Sequence, residues 1–242
     1  MNVRSSLLVL AVLAASGCHR AAVPSAQAVR PSPSERTALE SLYRARQDSA
    51  LRRFTAADVT FMTGMIGHHA QALAMANLAP LNGAGSSVRT LAARIHNAQT
   101  DEIALMQQWL RRREQPVPAL HVDGWRVMVH GDAAHVHGQH ASMPGMLSDA
   151  ELAQLAAARG PAFDRLFLQF MIQHHEGAVV MVDQLFATDG AAQDETVFKF
   201  ASDVQVDQRT EVARMRLMLD ALTADGASRR PEVPLFTQPP RS

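Results

Sequence analysis

Two pairs of adjacent histidines, His68-His69 and His174-His175, sit on apolar segments 106 residues apart. Imidazole nitrogens at such positions have two uses. They hydrogen-bond inside a core, or they ligate a transition metal such as copper, zinc or nickel. Each pair belongs to a longer repeated pattern. Asp58, Phe61, Met65, Ile66, His68, His69, Ala72 and Met75 match Asp164, Phe167, Met171, Ile172, His174, His175, Ala178 and Met181 without a gap. A repeat at a fixed offset is the mark of internal duplication.

A second repeat brings carboxylates and amides. Val88, Leu91, Ile95, Gln99, Glu102 and Met106 match Val197, Phe200, Val204, Gln208, Glu211 and Met215, now at an offset of 109. The duplicated unit is therefore a helical hairpin, with three extra residues in the second connection. Along the first helix, Phe61, Met65, His68, Ala72, Met75 and Ala79 follow intervals of three and four, the seam of a packed helix. His68 lies on that seam and His69 beside it. Gln99 and Glu102 interrupt the seam of the partner helix, as Gln208 and Glu211 do in the second half. Burying an unpaired polar group costs about 2–7 kcal/mol, so these residues must satisfy one another or hold something. One reading is a structural network in which His68 pairs with Glu102 and Gln99 orients them. The other is a core metal site of His68, His69, His174 and His175, with Met65, Met171, Glu102 and Glu211 assisting. Thioether donors would make it softer than an iron site and point to copper.

A further set lies between the halves, where His135, His137, His140, Met143 and Met146 read H-x-H-x-x-H-x-x-M-x-x-M. It is either a second, weaker metal site or a polar loop with incidental histidines.

The elements that position these residues are helices. Glu35–Arg53 reads as a leading helix, and Thr55 with Asp58 as a capping box for the first motif helix, stopped by Pro80. Ser86 or Ser87 caps the second helix, whose last turn carries Arg111, Arg112 and Arg113, read as a solvated end. After a linker, Ser148 and Glu151 cap a short helix, and two long helices follow over about 161–187 and 194–224. The expectation is an all-α chain: a four-helix bundle of two duplicated hairpins at 50–115 and 149–225. The first hairpin follows a tether and leading helix at 19–49, a His/Met-rich linker at 116–148 separates the two, and a disordered tail at 226–242 ends the chain.

The start of the chain reads as an address. Arg4, the apolar run Leu7 to Ala15 and the sequence Ala15-Ser16-Gly17-Cys18 resemble a bacterial lipoprotein signal, residues 1–18, with Cys18 lipidated. The alternative is ordinary secretion with cleavage after Ala28. Both place the protein outside the cytoplasm, and the first anchors it in the cell envelope facing the periplasm, at the outer membrane by resemblance to sorting signals. Cys18 is the only cysteine, so no intramolecular disulfide forms. With 23 basic and 23 acidic residues, the chain lacks the basic bias of a nucleic-acid partner.

The motif Asp58-x-x-Phe61-x-x-x-Met65-Ile66-x-His68-His69-x-x-Ala72-x-x-Met75, its second copy and Met143-Pro144-Gly145-Met146 resemble the bacterial family named "domain of unknown function 305". The likeness covers roughly 50 to 222. It implies a ferritin-like helical bundle and, from some members, extracytoplasmic copper binding or tolerance. Three functions follow as expectations: a copper-buffering lipoprotein, a metal-free envelope interaction module with a His-Glu network, and a ferritin-like di-metal oxidase. The last is disfavoured, because Glu-x-x-His, the di-iron signature, does not occur. Without a nucleophile motif, a non-enzymatic role is favoured.

Overall fold

The computed structural model describes residues 31–130 and 143–228. The chain divides after Tyr43. Helix α1 (Pro33–Leu51) begins at a capping box, in which the Ser32 N–H donates to Glu35 Oε2 at 2.7 Å and the Glu35 N–H to Ser32 Oγ at 3.3 Å.

The second unit carries the duplicated hairpins. Helix α2 (Ala56–Leu81) packs on α3 (Ser86–Arg112), and α5 (Gly160–Phe186) on α6 (Glu195–Ser228), while α2 and α5 join the two hairpins. A short helix, α4 (Asp149–Ala157), packs against α2 and α5. This is the all-α, duplicated arrangement expected.

Local chemistry fixes the ends. Thr55 and Asp58 form the expected capping box of α2, and Ser148 and Glu151 that of α4. Pro80 does not stop α2; it lies inside the last turn, and the helix runs to Leu81. The cap of α3 is Gly85 rather than a serine side chain. The linker is not wholly irregular. Strands β1 (Ala119–Asp123) and β2 (Arg126–His130) pair antiparallel around Gly124 and Trp125. Gly124 has a φ of +59°, the left-handed conformation such two-residue turns require.

Helix α2 buries far more than one seam. Met62, Ile66, Ala70, Ala74 and Ala76 are buried with the expected positions, because α3, α5, α4 and the β-hairpin surround it. A helix apolar on every side is a central helix.

The core falls into two apolar clusters. One holds Met75, Leu91, Ile95, Leu155, Phe163, Phe167, Met171 and Met215. The other holds Phe61, Met65, Met106, Leu110, Val182, Leu185, Phe200 and Val204. On α2 the division falls between Ile66 and Ala72, and on α5 between Met171 and Ala178. The four histidines occupy that gap on both helices.

Two carboxylates tie the hairpins to each other. Asp58 accepts from the Ala192 N–H at 2.7 Å, and Asp164 from the Gly85 N–H at 3.1 Å. Each motif helix thus holds the connection of the opposite hairpin. At one end of the bundle, Arg113 pairs with Asp194, which also accepts from Trp109 Nε1 at 3.0 Å. Arg113 is therefore a buried structural cation, not part of a solvated end. Its guanidinium lies 4.4 Å from the centre of the Trp109 ring.

Candidate metal centre

All four histidines are fully buried. The His68 and His174 rings meet at the helix crossing, 3.9 Å between centres and tilted by 38°. His175 lies 6.2 Å from His174 by the same measure.

Every Nε2 has a partner. His69 reaches Glu102 at 2.6 Å and His175 reaches Glu211 at 2.7 Å. His68 reaches the Pro144 carbonyl at 3.0 Å, and His174 the His68 carbonyl at 3.0 Å. The expected pairing of His68 with Glu102 is thus replaced by His69 with Glu102, one position along the helix. A carbonyl only accepts, so Nε2 of His68 and His174 carries the hydrogen. Burial, with the neighbouring histidine His69 adding to it, pushes the His68 imidazolium down to about 3. His174 is lowered well below the usual histidine value, by burial first and then by His68, His175 and His69. Both rings are neutral at physiological pH, each with a lone pair on Nδ1.

Among the described residues, Nδ1 of His68, His69, His174 and His175 has no hydrogen-bond partner, and all four atoms are buried. Gln99 does not orient the histidines; both polar atoms of its carboxamide are unpartnered, and so is Oε1 of Gln208. Buried polar atoms of native proteins are nearly always paired, with protein groups or with ordered water.

The remaining expected residues are distributed around the layer. Met65 and Met171 lie one turn before His68 and His174, fully buried, in opposite apolar clusters. Glu102 and Glu211 are partly exposed at 22% and 26% of their side chains, on the outer side of the histidines. Asp207 stands near both, and burial, then Glu102, raises its carboxyl. The layer thus has an anionic flank that faces solvent. Of the linker set, Met143 and Met146 are half-buried. His135, His137 and His140 lie outside the described residues, as does Cys18. Among the described residues, no three His, Cys, Asp or Glu residues stand in a geometry that would hold a metal ion.

Sequence reasoning missed one component. The turn Met143–Met146 closes with the Met146 N–H on the Met143 carbonyl at 3.3 Å, with Gly145 at φ +75°, the pattern of a type II turn. Its central carbonyl, Pro144 O, bonds His68. The Pro-Gly pair was a legible turn signal, but nothing local to it names the histidine it reaches.

Residues 58–219 match the family "Domain of unknown function (DUF305)". The chain belongs to this family. Its fold is similar to that of a DUF305 fragment from Deinococcus radiodurans, with 31% identity and a TM-score of 0.56 over 69% of this chain and 98% of that one. A DUF305 protein of Streptomyces coelicolor, described as a candidate secreted protein, matches with 25% identity and a TM-score of 0.57 over 69% and 94%. CopM in its Cu(II)-bound form matches with 27% identity and a TM-score of 0.51 over 68% and 96%. CopM in its Cu(I)-bound form matches the same shares at a TM-score of 0.50. No curated protein sequence matches the chain. No helix among the described residues is long and apolar enough to cross a membrane.

Proposed function

We propose that this protein binds copper in the histidine layer between its two hairpins and acts as an extracytoplasmic copper-buffering protein. The observation that carries this reading is the set of four buried, donorless Nδ1 atoms. A purely structural network would have paired them. A metal cation satisfies lone pairs without bringing a proton into the core.

The donor set fits the ion. His68, His69, His174 and His175 would ligate through Nδ1, while Nε2 stays on its oxygen partner. Glu102 and Glu211 then act behind the ligands, fixing ring orientation and raising imidazole basicity, as carboxylates commonly do behind metal-bound histidine. Imidazole suits copper(II), and Met65 or Met171 offers a soft donor for copper(I). The similarity to CopM, which is known in both copper-bound forms, supports the choice of metal. Met143 and Met146, with His135, His137 and His140, would form the weaker second site. Lipidation at Cys18 would hold the protein at the envelope facing the periplasm.

The test is competition for copper(I) and copper(II) against chromophoric chelators, comparing wild type with a His68→Asn, His174→Asn variant. The expected result is loss of the tight site in the variant, with helical content retained. Equal affinity in the two proteins would eliminate the histidine layer as the site.

A further inference from the structure

The half of the site nearest the linker is built asymmetrically. His174 bonds a carbonyl of its partner helix, whereas His68 bonds the carbonyl of Pro144, from the turn between the hairpins. Three features hold that turn in place. Gln71 on α2 exchanges two hydrogen bonds with the backbone of Leu147, donating to its carbonyl at 3.0 Å and accepting from its N–H at 2.8 Å. Gly145 adopts a positive φ that other residues rarely take. Gly177 on α5 then leaves the space the turn occupies. A Cβ at Gly177 would stand 2.0 Å from Pro144 O and 2.5 Å from Gly145 Cα, both backbone atoms that no rotamer change can move.

We infer that the Met143–Leu147 turn is the positioning element of the His68 imidazole, with Gly177 as the seat that lets the Pro144 carbonyl reach Nε2. In a type II turn the central carbonyl points away from the turn's own hydrogen bond, so it is free to accept. Accepting from Nε2 commits the hydrogen to that nitrogen and leaves the lone pair on Nδ1. Without this partner, either tautomer of a buried neutral imidazole is open, and one of them places a hydrogen where a metal must bind. The consequence for copper rests on the proposed histidine site; the tautomer itself does not.

Gly177→Ala separates positioning from folding. Alanine is the better helix former by about 1 kcal/mol, so α5 is retained. A cavity of about 530 Å³ adjoins the turn, lined in part by Gly64, Met143, Pro144 and Met181. Pro144→Ala is the control, because it keeps the carbonyl. Nitrogen-15 NMR of the imidazoles in the metal-free full chain reads the tautomer, and chelator competition reads copper(I) affinity. The expected result is a single Nε2–H tautomer at His68 in wild type and Pro144→Ala, and a mixture in Gly177→Ala. Copper(I) affinity should fall about ten- to a hundredfold in Gly177→Ala alone, the usual effect of losing an orienting partner. An unchanged His68 tautomer in Gly177→Ala, or the same loss in Pro144→Ala, overturns the inference. If wild type binds no copper through the histidines, the proposed function fails while the tautomer comparison still decides this point.

Discussion

Gln71 and Gly177 occupy the same position of the duplicated motif, 106 residues apart, and grip opposite sides of one turn. The copies have diverged where the pseudo-symmetry meets a single linker. One position carries a carboxamide long enough to reach Leu147, and the other carries no side chain and leaves the space the turn fills. Gln71→Ala should leave the buried N–H and carbonyl of Leu147 without partners, at a cost of about 2–4 kcal/mol. Urea unfolding of the metal-free protein measures it. A loss under 1 kcal/mol would mean that water replaces the carboxamide and that the clamp is not structural.

Acidification should destabilise the protein before its carboxylates titrate. His68 is held at about 3, against about 6.5 in an open chain. Between those values the unfolded chain takes up a proton that the folded chain refuses, so stability falls as pH falls through that window. The full slope is about 1.4 kcal/mol per pH unit for one such histidine, and His174 acts in the same direction. Asp164 and Asp207, whose carboxyls are raised, act in the opposite direction and favour the folded form on acidification. The comparison therefore belongs between pH 7 and 5. A denaturation midpoint that stays flat over that range would contradict the neutral, buried state of these rings.

The ties made by Asp58 and Asp164 should differ in weight. Asp58 is wholly buried and accepts from the Thr55 N–H at 2.8 Å, the Thr55 hydroxyl at 3.0 Å and the Ala192 N–H at 2.7 Å. It serves a cap and a cross-hairpin bond at once. Asp164 accepts from the Gly85 N–H with both oxygens, and burial, opposed by that bond and by Arg89 and Arg165, raises its carboxyl. Asp58→Ala is expected to cost about 3–4 kcal/mol and Asp164→Ala about 1–2 kcal/mol. Equal losses by thermal or urea unfolding would show that the cap of α2 adds nothing to the shared tie.

The duplication made most of this architecture legible. The intervals of three and four located both hairpins and put His68 and His174 on buried seams. The capping boxes at Thr55 and Ser148 fixed two helix starts. Other features depended on contacts between distant residues. Nothing around Asp58 shows that its second oxygen reaches Ala192, and nothing around Arg113 shows that it turns inward to Asp194. The pairing of Glu102 with His69 rather than His68 depends on the rotation of α3 against α2, an angle that periodicity leaves loose. The β-hairpin is different. Leu120 and Val122 alternate, Val127 and Val129 answer them, and Gly124 stands at the first position of the two-residue loop, where a positive φ is needed. That alternation lies inside a linker whose histidines and methionines are the stronger compositional signal.

Arg113 and Asp194 make a prediction about the far end of the bundle. Both side chains are 5% exposed, and Asp194 also receives Trp109 and the first backbone N–H groups of α6. Removing one partner of a buried ion pair leaves a charge uncompensated, typically a loss of about 3–5 kcal/mol. Arg113→Ala should therefore destabilise strongly, while Arg111→Ala and Arg112→Ala should change little. Similar unfolding midpoints for the three variants would return Arg113 to the solvated end.

The roles of Glu102 and Glu211 can be separated from those of the histidines by replacing each glutamate with glutamine. The glutamine carbonyl can still accept from Nε2 of His69 or His175, so ring orientation survives and only the charge is lost. If the carboxylates stand behind the ligands, Glu102→Gln and Glu211→Gln should lower copper affinity about tenfold each. The nitrogen hyperfine pattern of bound copper(II) should stay unchanged. If either carboxylate is itself a ligand, that spectrum changes on substitution. Thermal stabilisation supplies an independent readout. At free copper a hundred times the dissociation constant, wild type should gain about 2.7 kcal/mol, and each glutamine variant about half that at the same free copper. Substitutions that leave both affinity and stabilisation untouched would show that the carboxylate–imidazole pairs serve only to hold α2 to α3 and α5 to α6.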